Sequence, residues 1–196
     1  KSHWTYPSVV GYTHADIHAL ELFNGRLYCG SDGGIFRSTN NGNDWDDLSA
    51  GLGIMQSYRL GVSATVDAQV ITGAQDNGMN LLDGGTWTHV QGADGMEGII
   101  DPTDAQIQYG SSQNGSLYRT YDAWQNTGSI SGSITEDGAW VTPYVMAPQD
   151  PLTLVAGYNN LWITHDRGNN WSQLTNYGTN LNVRAIAIAP SDDQVM

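Results

Sequence analysis

Two eight-residue segments constrain this chain more than anything else in it. Ser38-Thr39-Asn40-Asn41-Gly42-Asn43-Asp44-Trp45 and Thr164-His165-Asp166-Arg167-Gly168-Asn169-Asn170-Trp171 both fit the pattern [Ser/Thr]-x-[Asp/Asn]-x-Gly-x-x-Trp. Each follows an apolar, strand-like run. A unit of this kind cannot bury its own apolar face, so neighbouring copies must stack to build a core.

The repeat extends through the chain. Four segments align on an early glycine (Gly30, Gly73, Gly110, Gly157) and a late tryptophan (Trp45, Trp87, Trp124, Trp171). The second copy keeps Gly84 and Trp87 but lacks the hydroxyl and the acid. The third keeps Thr120 and Asp122 and reaches Trp124 three residues early. Trp4 stands where an earlier unit would close. Apolar runs recur at 17–22, 58–62, 99–100, 144–146 and 183–188, and turns such as Asp101-Pro102 and Ala147-Pro148 follow some of them. β-branched and aromatic residues bounded by Gly, Asn and Asp read as strands and turns, and no long run has helical periodicity. Four strands in about 40 residues is the size of a propeller blade.

The expected fold is therefore all-β: a β-propeller of four-stranded antiparallel blades, with about four blades plus partial ones in an incomplete ring. One incomplete domain spans 1–196. Its units are 14–57, 58–95, 96–141 and 142–181, and 182–196 opens a further blade. The chain begins at Lys1 with neither an initiator Met nor a signal peptide. Its remaining blades are expected from the rest of a longer chain or from another copy.

The motif has a local explanation. Asp or Asn at its third position can accept hydrogen bonds from nearby backbone amides, and Gly supplies positive φ. The hydroxyl can satisfy a further turn amide, and the Trp offers a large face for burial. Ser38, Asn40, Gly42, Trp45, Gly84, Trp87, Thr120, Asp122, Trp124, Thr164, Asp166, Gly168 and Trp171 thus read as structural residues.

These segments resemble Asp-box, or BNR, repeats, found in β-propellers of sialidases, xyloglucanases, sortilin-like receptors and many secreted bacterial proteins. His14-Ala15-Asp16-Ile17-His18 and Ser31-Asp32-Gly33-Gly34, with Gln75-Asp76-Asn77-Gly78, resemble large exported proteins of Bacteroidetes-type bacteria. The resemblance implies secretion or a cell-surface location. It also implies that the motif is structural and lies away from any substrate face, so it speaks for a fold more than for an activity.

The formal net charge of −13 argues against nucleic acid and anionic membranes, both of which require basic patches. No stretch is apolar enough to insert as a membrane helix. Cys29 is alone and reads as a small buried hydrophobe, and no cofactor is implied.

Several residue groups could carry chemistry. His14, Asp16 and His18 alternate along a strand. The outer pair stands roughly 13 Å apart, too far for one metal to hold all three. They read as a hydrogen-bonded or ligand-binding group, and no metal is assigned. Asp94 and Glu97, with Asp76 and Asp101 nearby, are the candidate catalytic carboxylates, because glycosidases work with two. Gly92-Ala93-Asp94-Gly95 is similar to the region around one catalytic Asp of xyloglucanases. Arg59 and Asp76 are candidate ligand-binding residues; Arg59 and Arg184 fall on expected inner strands, whereas the Arg-Ile-Pro segment of sialidases is absent. Trp140, the candidate sugar-stacking ring, closes an insertion from Gln125 to Trp140, where binding loops are built in repeat arrays.

Three functions fit these residues. The first is a secreted or cell-surface propeller module binding glycan or protein at its loop face. The second is part of a xyloglucanase-like glycoside hydrolase using paired carboxylates. The third is an architectural segment of a surface filament or adhesin. Because no catalytic set is complete, the sequence leans away from an enzyme.

Overall fold

The computed structural model describes residues 2–3, 11–53, 55–178, 180–193 and 195–196. Trp4 lies outside them. The chain forms two compact units, Lys1–Met55 and Gln56–Met196.

The first unit holds one four-stranded sheet: β3 (Ile17–Phe23), β4 (Arg26–Ser31), β5 (Gly34–Ser38) and β6 (Asp46–Asp47). A two-stranded parallel pair, β1 (Ser2–His3) and β2 (Thr13–His14), accompanies it. The second unit holds three further four-stranded sheets. These are β7 (Ser57–Val62) to β10 (Thr86–Gln91), with β8 (Val70–Ala74) and β9 (Gly78–Asp83) between them. Next come β11 (Gly95–Ile100), β12 (Gln108–Ser112), β13 (Ser116–Thr120) and β14 (Gly128–Ser129). The last sheet is β15 (Tyr144–Ala147), β16 (Asp150–Gly157), β17 (Leu161–Thr164) and β18 (Ser172–Gln173). All four sheets are antiparallel meanders in chain order. Among the described residues there is no α-helix. This is the all-β propeller-blade architecture expected from the repeat.

The second unit buries two apolar layers. Ile71, Met79 and Leu81 meet Ile100, Ala105 and Trp124 between its first and second sheets. Tyr109, Leu117 and Ile130 meet Tyr144, Leu154, Tyr158 and Trp171 between its second and third. Each sheet shows alternate residues to alternate neighbours, as the period of two in a strand requires. Strands β7 and β8 also come close to β11, backbone to backbone. A Cβ on Gly61 would stand 2.5 Å from the Gly98 carbonyl oxygen, and one on Gly73 would stand 2.1 Å from that of Met96.

The motif turn has one geometry in three of the sheets. The Ser38 hydroxyl accepts from Gly42 N–H at 2.9 Å, and that of Thr164 accepts from Gly168 N–H at 3.0 Å. The acidic or amide side chain accepts the next turn amide: Asp44 N–H to Asn40 and Asn170 N–H to Asp166, each at 2.9 Å. In the third copy Trp124 stands where the others have glycine. Its N–H donates to Thr120 Oγ1 at 2.9 Å, and its φ is 70°, against 81° at Gly42 and 88° at Gly168. The early tryptophan is therefore a substitution at the left-handed position. The burial of its ring and its indole bond to Gln108 Oε1 (2.8 Å) offset the strain.

Four sequence readings are corrected. Gly84 and Trp87 do not belong to such a turn. Gly84-Gly85 is a two-residue hairpin with both φ positive, and Trp87 lies within β10, 51% exposed. With no hydroxyl or acid to close a longer turn, two glycines make the tight one. Second, the register puts Ser38 opposite Leu27, Thr120 opposite Gln108 and Thr164 opposite Leu154. Ser111, not Gly110, is therefore the third-unit counterpart of Gly30 and Gly157. Third, part of the Gln125–Trp140 insertion is β14, after which Ile130 enters the core and its carbonyl accepts the Trp171 indole at 2.7 Å. Fourth, the run 183–188 forms no ladder. Val183 donates one bond to the Tyr158 carbonyl at 2.7 Å and lies over Gly157.

Trp171→Ala removes a buried ring and should cost about 3–5 kcal/mol in urea denaturation. Trp87→Ala, on an exposed face, should cost less than about 1 kcal/mol in the same measurement.

Candidate functional site

Three inner strands carry the same irregularity. The ladder slips between Ile17 and Ala19 in β3, between Ser57 and Arg59 in β7, and between Gly95 and Gly98 in β11. A bulge adds a residue to one strand and re-aims its side chains. Here the bulged positions are His18, Tyr58 and the pair Met96–Glu97. In β15 the slip falls between Met146 and Ala147, at the opposite end, so the last sheet lacks this feature.

In the second unit the bulge residue Tyr58 belongs to a circuit of hydrogen bonds that closes through the chain at Gln75–Asp76 and Gln113–Asn114. The Trp140 indole donates to the Tyr58 hydroxyl at 3.1 Å, and Tyr58 donates to Gln75 Oε1. The neighbouring Asp76 N–H donates to Asp94 Oδ1 at 2.8 Å, and Asp94 N–H donates to Gln113 Oε1 at 3.2 Å. Asn114 N–H then returns to the Trp140 carbonyl at 3.4 Å. Three residues of the circuit's loops are left-handed: Asp76 (φ 57°), Ala93 (φ 69°) and Asn114 (φ 61°). Non-glycine residues in this region are strained, and such strain gathers at functional sites. Trp140 is held at its edge and backbone while 45% of its surface stays open.

Beside this rim, Arg59 Nε lies 3.7 Å from Glu97 Oε2, and Arg59 Nη1 donates to the Tyr58 carbonyl at 3.0 Å. The Arg59 side chain is 58% exposed. Burial raises the Glu97 pKa above its ordinary value, and Arg59 offsets only part of that rise. The Glu97 main chain is fixed on both sides: Ser111 Oγ accepts its N–H at 2.9 Å, and its carbonyl accepts the Tyr144 hydroxyl at 3.1 Å. The Glu97 backbone is thus held on both sides, and its carboxyl pKa is raised by burial. Asp94 is differently placed, since one of its oxygens is occupied by the Asp76 amide.

The structure divides the histidine motif in the first unit. His18 Nε2 meets Asp32 Oδ1 at 2.5 Å, whereas His14 Nδ1 meets the Ala15 carbonyl at 3.0 Å. Asp16, with φ 50°, offers its carbonyl to Asp32 N–H. Asp101 is a structural ion, fully buried and 3.0 Å from Arg167. Despite its burial, hydrogen bonds from Thr103 and the Arg167 guanidinium hold its pKa below the ordinary value. Arg184 is exposed on the segment that forms no ladder.

Sequence reasoning missed Tyr58, Gln75 and Gln113 as site residues. A bulge brings in Tyr58, and contacts between segments far apart in the chain bring in Gln75 and Gln113; neither is marked in a single sequence.

No protein-family model matches the chain. The chain is 31% identical to a xyloglucanase from Hypocrea jecorina (strain QM6a), over 54% of this chain and 14% of that protein. Among solved structures, a GH74 xyloglucanase from Xanthomonas campestris overlays with a TM-score of 0.48 at 13% identity, over 74% of this chain and 26% of that one. A Niastella koreensis GH74 enzyme gives 0.47 at 16%, over 80% and 28%. YCF48 bound to D1 peptide gives 0.43 at 14%, over 86% and 55%. The chain therefore spans about a quarter or less of the xyloglucanases it is similar to.

Asp101, buried, and Glu97, partly buried, should respond oppositely to pH. The lowered Asp101 pKa stabilises the fold above its unfolded value of 3.8, and that contribution fades as pH falls through the folded value. Asp101→Asn should cost about 3 kcal/mol at pH 7 and less at pH 3. The raised Glu97 pKa penalises the ionised form, and the penalty disappears below 4.5. Glu97→Gln should leave stability equal or higher at pH 7 and unchanged at pH 4. Chemical denaturation at these pH values checks both.

Proposed function

We propose that this chain is a stretch of a larger exported, glycoside-hydrolase-like β-propeller and that its rim binds a saccharide. One observation carries the reading: the hydrogen-bond circuit that fixes Trp140 by its edge and leaves part of its ring open. A flat aromatic held in this way stacks on a sugar ring with little entropy to lose. Arg59 and Glu97 supply polar partners at the rim. The xyloglucanase relative makes xyloglucan the natural first ligand. On this reading the three like turns are Asp boxes, the units lie at 14–57, 58–95, 96–141 and 142–181, and residues 182–196 open a further blade.

Titration calorimetry with xyloglucan oligosaccharides tests the proposal. Trp140→Ala should weaken binding about tenfold or more, while Trp87→Ala leaves it unchanged. Equal affinity in all three proteins removes the rim from the binding site.

A second reading is hydrolysis, favoured by the raised pKa of Glu97, the signature of a general acid. Asp94 is the less suitable partner because its carboxylate already holds the Asp76 amide. Release of reducing ends from xyloglucan, abolished by Glu97→Gln, would favour this reading over binding alone.

A further inference from the structure

Glu136, four residues before Trp140, ties the rim to the third sheet of the second unit. Asn160, in the turn between β16 and β17, donates twice to this one carboxylate. Its N–H meets Oε2 at 2.9 Å and its Nδ2 meets Oε1 at 2.8 Å. Asn160 is buried and is itself fixed: its carbonyl accepts the Tyr158 N–H and its Oδ1 accepts the Tyr177 N–H, both at 2.8 Å. Partial burial raises the Glu136 pKa, but the bonds from the Asn160 side chain and backbone more than offset this and hold it below its ordinary value. At neutral pH the group is therefore a carboxylate.

The chain between Glu136 and Trp140 has little slack. Gly138 N–H donates to the Asn114 carbonyl at 3.1 Å, and a Cβ on Gly138 would stand 2.1 Å from Thr142 Oγ1. That hydroxyl donates to the Ala139 carbonyl at 2.7 Å, and Ala139 and Thr142 are both buried. Residues 136–140 thus reach all three sheets of the unit. They touch the third through Glu136, the second through the turn at Asn114, and the first through the Trp140 indole on Tyr58. These links differ in strength. A hydrogen bond to an ionised acceptor is shorter and roughly twice as strong as a neutral one. The two bonds at Glu136 are of that kind, whereas those to the Asn114 main chain are neutral and longer, at 3.1 and 3.4 Å.

We propose that Glu136 is a positioning residue: its paired bonds to Asn160 hold the insertion so that the Trp140 ring is set before a sugar arrives. Glu136 acts without touching the ligand, since each of its oxygens already accepts an Asn160 donor. Its effect on affinity rests on saccharide binding at Trp140, whereas its effect on the ring does not. Charge and reach are both required. In Glu136→Gln an NH2 group would face an Asn160 donor, and Asn160 cannot turn over to accept because its Oδ1 holds the Tyr177 N–H. Glu136→Asp keeps the charge but falls one methylene short.

Nitrogen-15 relaxation of the tryptophan indoles tests this, with the Trp140 signal assigned by its loss in Trp140→Phe. In Glu136→Gln the order parameter of the Trp140 indole should fall from the rigid range, about 0.85, to below about 0.6. The Trp171 indole, which donates to the Ile130 carbonyl at 2.7 Å, should not change. Should the Gln variant fail to fold, Glu136→Asp should give the same pair of results. In titration calorimetry with xyloglucan oligosaccharides, Glu136→Gln should weaken binding about three- to tenfold, the cost of ordering one side chain on binding. The same substitution should add nothing in a Trp140→Ala background, because a residue acting through the ring has no effect without it. Loss of indole order in a protein that binds no saccharide upholds the positioning role and removes the saccharide reading. An unchanged Trp140 indole overturns the role, as does equal loosening of Trp171 or a loss of affinity that persists in the Trp140→Ala background.

Discussion

One hydroxyl oxygen sets the shape of three of the four sheets. Ser38, Thr120 and Thr164 each accept the amide four residues on, and that bond closes a turn whose two central residues are left-handed. Left-handed backbone is unfavourable for most residues, so the turn exists only because side chains satisfy its amides. The neighbouring Asp or Asn takes the next amide. At Asp122 and Asp166 the side-chain amides of Asn126 and Asn170, together with those backbone amides, hold the carboxylate pKa below its ordinary value, to about 2 at Asp166. The turn then returns the chain as the fourth strand and fixes where the tryptophan enters the core.

The stacking of sheets follows from that placement. Trp124 enters the layer beneath the second unit's first sheet, and Trp171 the layer beneath its second. Gly61 on β7 and Gly73 on β8 let the second unit's first two sheets approach closely. The bulges on the inner strands then turn side chains out of the ladder. Scaffold and rim thus come from one device: strands regular enough to pack, with one irregular step at the end that carries the rim.

The fold was largely legible in the sequence because turn chemistry is local. The Ser38 and Thr164 turns are written in eight adjacent residues. The readings that failed depended on register. Trp87 has the spacing of the repeat, yet two glycines before it make a hairpin and leave the ring on an exposed strand. Gly110 looks like the anchor, but the cross-strand partner of Thr120 shows that Ser111 holds that position. The rim was half legible. Asp94, Glu97, Arg59 and Trp140 were visible as chemistry, but Tyr58, Gln75 and Gln113 join them only through contacts between distant strands.

The Asp101–Arg167 pair, with Arg119 bonded to the Arg167 carbonyl, joins the Trp171 indole on the Ile130 carbonyl and the Tyr144 hydroxyl on the Glu97 carbonyl in a set of polar links between two sheets. In a linear array, each element can open nearly on its own, and cooperativity depends on how strongly it couples to its neighbour. These polar links, with the apolar layer between the sheets, make the last two sheets a single cooperative block. Their amides should exchange hydrogen together and more slowly than those of the sheet at the start of the unit, whose outer strand face is open.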